Sequence, residues 1–129
     1  ERLSRLLDEN RGQCRVVTIH HPPVKITPSH KRLIGIERFQ KVIADHGAEL
    51  VLHGHTHLAD HNSIPGPNGG VPVLGVPAAG NNLGNLRPAG RYNLFEIGHG
   101  KKGWSINWCA FGADPTSGQI VKLVDQALY

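Results

Sequence analysis

Histidines that follow two apolar runs carry the chemistry of this chain. Residues 16–19 read Val-Val-Thr-Ile and lead into His20-His21-Pro22-Pro23. Residues 50–52 read Leu-Val-Leu and lead into His53-Gly54-His55-Thr56-His57. Imidazole is the commonest protein ligand for divalent transition metals. Histidines two apart in an extended or tightly turned segment point the same way, so His55 and His57 are expected to converge while Thr56 turns away. Gly54 allows a sharp backbone turn where the strand should stop. Ligands in open α/β sheets bind beyond the carboxyl ends of strands, and both clusters fall there.

The elements that must position these rings follow from the pattern around them. Residues 1–11 read as a helix end, with Leu3, Leu6 and Leu7 on one face and Gly12 as terminator. Residues 14–19 read as a buried strand stopped by Pro22 and Pro23, and residues 24–31 as a polar loop over the cleft. A second helix is expected over 32–46, where Ile36, Phe39 and Ile43 recur at helical spacing before Gly47. Residues 49–52 form the next buried strand, so strand, helix and strand make a right-handed parallel crossover. Beyond His57 the pattern becomes hairpins, 58–64 with 71–76 and 92–97 with 104–111, around Gly- and Pro-rich turns. Residues 119–128 fit a last strand or a short helix, and strand is the preferred reading. Residues 78–91 are a Gly- and Asn-rich loop.

At His20-His21-Pro22 and Gly54-His55-Thr56-His57 the chain resembles the calcineurin-like metallophosphoesterase superfamily, in its His-x-Pro and Gly-His-x-His motifs. Within it, the chain most resembles bacterial phosphohydrolases of the cyclic-nucleotide phosphodiesterase branch. The resemblance implies an α/β fold, the C-terminal half of a four-layer α/β/β/α sandwich, with a mixed sheet and hairpins after the strand-helix-strand unit. It implies a binuclear centre of Mn, Fe or Zn, with His20 and His55 on one metal and His57 on the other. Hydroxide between the metals would attack a phosphoester, most naturally a phosphodiester. His21 would stand behind the ligands, although motif register alone separates it from His20.

The family's Asp-x-His, Gly-Asp and Gly-Asn-His motifs are missing, and Glu1 opens the chain without an initiator Met. Residues 1–129 are therefore expected to be the C-terminal part of a single metallophosphoesterase domain. No catalytic group beyond the metal ligands is expected in it. Three neutral imidazoles would hold at most one metal, weakly, and the isolated chain would be inactive. Losing half a sandwich would leave apolar surface and strand edges, so a homo-oligomer or swapped dimer is expected. The alternative function is a non-catalytic protein-binding scaffold on the same fold, which intact histidines argue against.

Other candidates have plainer readings beside the functional one. His53 is an extra ligand, or a strand-ending ring packed outside the metal shell. His30 binds substrate, as a histidine in that loop does in some relatives, or is solvated. Asn81 borders the pocket or serves turn chemistry. Asp60 and His61 read as polar positions on a hairpin strand. Trp104 and Trp108 share a strand face and read as packing.

The net charge of +4 comes with short basic pairs, Lys31-Arg32 and Lys101-Lys102, rather than a basic tract. That favours a solvated surface over nucleic-acid binding, with a mild field that suits an anionic phosphoester. No apolar stretch reaches membrane-spanning length. Cys14 and Cys109 read as buried free thiols in strands, as in a reducing cytoplasm.

Overall fold

Val16, Val17, Thr18 and Ile19 are all β-branched and stiff at χ1, and they form β1 (Val16–Ile19). The run Leu50–His53 forms β2. The two pair in parallel, with Val16 opposite Leu50 and Ile19 opposite His53. A parallel pair needs a crossover, and α2 (Ile36–His46) lies between them in the chain. The helix starts later than the expected residue 32, because Gly35 sits at φ 81, outside the right-handed helical region. It stops where expected: Gly47, at φ 80, donates its N–H to Ile43 O at 2.8 Å.

This computed structural model describes residues 1–26, 28–84, 88–101 and 103–129. The loops expected over 24–31 and 78–91 and the turn over 98–103 contain residues 27, 85–87 and 102, which lie outside the described residues. The chain divides into two units: residues 1–56 with 60–75, and residues 57–59 with 76–129.

In the first unit, β3 (Asp60–Gly66) and β4 (Gly69–Gly75) form the expected hairpin around Pro67 and Asn68. β4 also pairs in parallel with β2, giving a mixed sheet of order β1-β2-β4-β3. Val51, Val73, Ile64 and Val71 pack with Leu7 of α1 (Arg2–Glu9), Ile43 of α2, Val24 and Ala48 in one apolar cluster. Leu50 and Leu74 alternate with that set and are just as buried, so both faces of the central strands are out of water.

Arg15 ties the amino edge of this sheet together. Its carbonyl accepts from Glu49 N–H at 2.9 Å. Its guanidinium donates to both Glu49 carboxylate oxygens, at 2.8 and 3.0 Å, and to Leu7 O and His46 O. The last turns of both helices thus gain a donor for carbonyls that lack an intrahelical partner.

The second unit is an antiparallel sheet of β5 (Arg91–Gly100), β6 (Gly103–Ala113) and β7 (Ile120–Ala127), in that order. Ile106, Trp108 and Ala110 are buried at alternate positions of β6, the period-2 signature of a strand with one dry face. Trp104 keeps the same alternation and its ring lies 4.5 Å from that of His99. Within residues 119–128 the chain is strand rather than helix, as β7. Asp114 turns the chain into it, its Oδ1 accepting from Thr116 N–H and Ser117 N–H at 3.0 and 2.7 Å. The thiols differ from expectation in burial: both are free but only half-buried, and Cys14 precedes β1 rather than lying in it. No helix among the described residues is long and apolar enough to cross a membrane.

Candidate metal centre

The parallel pairing of β1 and β2 brings their carboxyl ends level, so the residues that leave them emerge side by side. Gly54 N–H donates to His20 O at 3.2 Å, carrying the ladder one step past each strand. His20 and His21 are followed by Pro22 and Pro23, both fully buried. Neither proline can donate, but their carbonyls are taken by Leu33 N–H at 3.2 Å and Gln40 Nε2 at 2.8 Å. The loop that presents the first two histidines is therefore fastened to Gln40 of α2 and to Leu33 just before that helix.

The third histidine sits on a three-residue turn. Thr56 N–H donates to Gly54 O at 2.7 Å, with His55 at its centre at φ 63. That is the γ-turn hand with a positive central φ, the strained one. A residue with a Cβ in this region costs about 1–3 kcal/mol and persists where its surroundings dictate it, commonly at functional sites. His57 repeats the feature at φ 58; these two are the non-glycine residues with positive φ among those described. Residues 55–57 are thus tightly turned rather than extended.

His20, His21 and His55 converge, with one ring nitrogen from each within 4.8 Å of the others. His20 Nε2 and His55 Nδ1 are 3.0 Å apart, so one neutral ring donates N–H to the other. The His21 and His55 ring centroids are 4.2 Å apart. Nitrogens on a tetrahedral zinc ion, each about 2.0–2.1 Å from it, stand about 3.3 Å from one another. The His20–His55 pair is within a few tenths of an ångström of that spacing, and the His21 nitrogen lies within 4.8 Å of both. Three imidazoles with an open fourth position are a known zinc donor set. The residues fit a divalent ion, and among the described residues no carboxylate joins the cluster.

The structure thus brings together His20, His55 and His21, the last of which the motif register had placed behind the ligands. His57 belongs to the second unit. His30 is exposed in a short 3-10 turn, Ser29–Lys31, and is not in the cluster. Asn81 organises its own loop: its Nδ2 donates to Pro88 O at 3.1 Å and its carbonyl accepts from Gly90 N–H at 2.8 Å.

His53 ends β2 with its side chain fully buried. Its Nε2 lies 3.1 Å from Asp60 Oδ1, and its Nδ1 lies 3.2 Å from Gly54 O. Both partners are acceptors, so both contacts are hydrogen bonds only when the ring carries two N–H groups. Asn62 Nδ2 also donates to Asp60 Oδ1, at 2.9 Å. Asp60 is the residue that sequence reasoning passed over as a polar strand position. Its signal was the hairpin register, which sets it opposite Gly75, a residue with no side chain to displace it.

No protein-family model and no curated protein sequence matches this chain. Among solved structures the chain is similar to a double mutant of Vps29 from Entamoeba histolytica, a protein of the calcineurin-like metallophosphoesterase fold. The identity is 14% and the TM-score 0.40, over 70% of this chain and 44% of that one. This chain therefore matches less than half the length of that structure, and at such similarity nothing about its chemistry follows from the likeness.

Proposed function

We propose that this chain supplies a three-imidazole site for one divalent cation, and that the protein hydrolyses phosphoesters, phosphodiesters by preference. The observation that carries the reading is the convergence of His20, His21 and His55 at the shared carboxyl edge of β1 and β2. The His-x-Pro and Gly-His-x-His motifs that deliver them give the hydrolase class. A divalent ion held there supplies Lewis acidity toward a phosphoryl oxygen and makes water a nucleophile at neutral pH.

The chain's own part is to hold and aim. His20 Nε2 and His55 Nδ1 face each other across 3.0 Å, one as N–H donor and the other as lone-pair acceptor. To coordinate together, whichever ring carries the shared hydrogen must move it to its other nitrogen. The fastened prolines and the strained turn fix both loops before the ion arrives, which lowers the ordering cost of binding. His57, the last residue of the motif, is proposed as a ligand to a second ion, Mn, Fe or Zn like the first. That ion needs acidic partners that the described cluster does not contain.

Cobalt(II) binding to the 129-residue chain tests this, by its visible absorption and by calorimetry. One ion per chain is expected, lost in His55→Ala and retained in His57→Ala. Wild-type binding by His55→Ala would remove His55 from the site. Hydrolysis of bis(p-nitrophenyl) phosphate is expected only where carboxylate ligands are supplied by additional chain.

A further inference from the structure

We infer that Asp60 is a positioning residue for the His55 ligand, acting through the His53 ring on the Gly54 carbonyl. The inference rests on the reading of His20, His21 and His55 as metal ligands. Gly54 anchors the turn through both of its backbone polar groups. Its N–H is held by His20 O and its carbonyl closes the turn on Thr56 N–H, so its peptide groups set where His55 leaves the backbone. The same carbonyl faces His53 Nδ1 at 3.2 Å. The far side of that ring is held by Asp60 Oδ1, itself steadied by Asn62.

The arrangement is built rather than incidental. It joins three strands of one sheet: His53 ends β2, Asp60 begins β3 and Gly75 ends β4. A Cβ at Gly75 would run into Asp60 Oδ2 and come within 2.7 Å of His53 Cε1, so the pair fills the space that this glycine leaves open. Asp60 Oδ2 is buried there with no hydrogen-bond partner among the described residues. Leaving a carboxylate oxygen unsatisfied is costly, so the pair is a poor stability device. Its geometry, aimed at the carbonyl of a strained turn, suits holding a ligand in place. Groups that orient metal-binding residues in this way commonly change metal affinity by 10–100-fold when lost.

The experiment compares Asp60→Leu with Asp60→Asn in the full chain. The Asn side chain keeps an oxygen that accepts from His53 Nε2–H, and the Leu side chain does not. Cobalt(II) affinity and spectrum report the ligand set. Hydrogen exchange at the Thr56 amide reports the turn without any metal, and the Val51 and Val73 amides report the fold. With those core amides still protected, Asp60→Leu is expected to weaken cobalt binding at least about tenfold and to speed Thr56 exchange by a similar factor. Asp60→Asn should stay close to wild type in both. Unchanged cobalt affinity and unchanged Thr56 exchange in folded Asp60→Leu would overturn the inference. Should Asp60→Leu not fold, His53→Phe cuts the same link from its other end and is read the same way. A wild-type chain that takes up no cobalt defeats the metal reading alone, and Thr56 exchange then decides the positioning role.

Discussion

Replacing His55 by Gly and by Ala removes the same imidazole but treats the backbone differently. At φ 63 an L-residue is in the left-handed region, which costs it about 1–2 kcal/mol and costs glycine nothing. Glycine carries its own penalty, an extra loss of chain freedom on folding of about 0.5–1 kcal/mol relative to alanine. The difference leaves His55→Gly more stable than His55→Ala by roughly 0.5–1 kcal/mol. At an unstrained site the order is reversed, so the sign alone is diagnostic. Urea unfolding of the metal-free variants measures it, and neither variant should bind cobalt. A glycine variant that is less stable than the alanine one would refute the claim that the turn holds His55 under strain. The same comparison at Gly54 or Thr56 would carry no such information, because neither has a positive φ with a Cβ to clash.

Two further outcomes follow from groups away from the site. Glu49→Ala leaves the largely buried Arg15 guanidinium without its charge partner and is expected to cost about 3 kcal/mol, most of it recovered by an Arg15→Met, Glu49→Leu pair; equal stability of Glu49→Ala and wild type would count against that account. The Asp8 carboxyl is held below its ordinary 3.8 by its hydrogen bond with His46 and then by Arg11. A depressed carboxyl stabilises the fold fully above the unfolded value and ceases to as pH falls through the folded one. Asp8→Asn should therefore flatten the fall of Tm with pH below 3.8, and parallel acid limbs in the two proteins would exclude it.

What could be read from the sequence was whatever local pattern decides. The β-branched run 16–19 and the apolar run 50–52 gave the two parallel strands, and the Pro65-Gly66-Pro67-Asn68-Gly69-Gly70 stretch gave the first hairpin turn. The start of α2 was set four residues too early because the spacing of Ile36, Phe39 and Ile43 marks a helix without marking its first residue, whereas Gly35 in the left-handed region decides the boundary. The parallel pairing of β4 with β2 had no local signal, since Val71 and Val73 would look the same on any buried strand. His21 was placed behind the ligands by motif register. The alternation that would point neighbours to opposite sides ends with β1 at Ile19, so His20 and His21 both turn into the cluster. Asp60 required the β3–β4 register to be seen as the partner of His53, seven residues before it.

The two edges of the mixed sheet divide their work by charge, and this bears on how many ions the chain can hold. At the amino edge a full positive and a full negative charge, Arg15 and Glu49, neutralise each other across 2.8 Å. At the carboxyl edge the three converging side chains are imidazoles, neutral when they coordinate. The nearby carboxylate of Asp60 is engaged by His53 and Asn62. A first divalent ion there keeps its whole charge. A second one about 4 Å away would be repelled by about 4 kcal/mol even at the dielectric constant of bulk water, and by several times that near a protein surface. Neutral ligands do nothing to offset such repulsion, whereas a bridging or terminal carboxylate does. Cobalt titration of this chain should therefore saturate at one ion per molecule; tight uptake of two would show that anionic ligands reach the cluster from residues not identified with it.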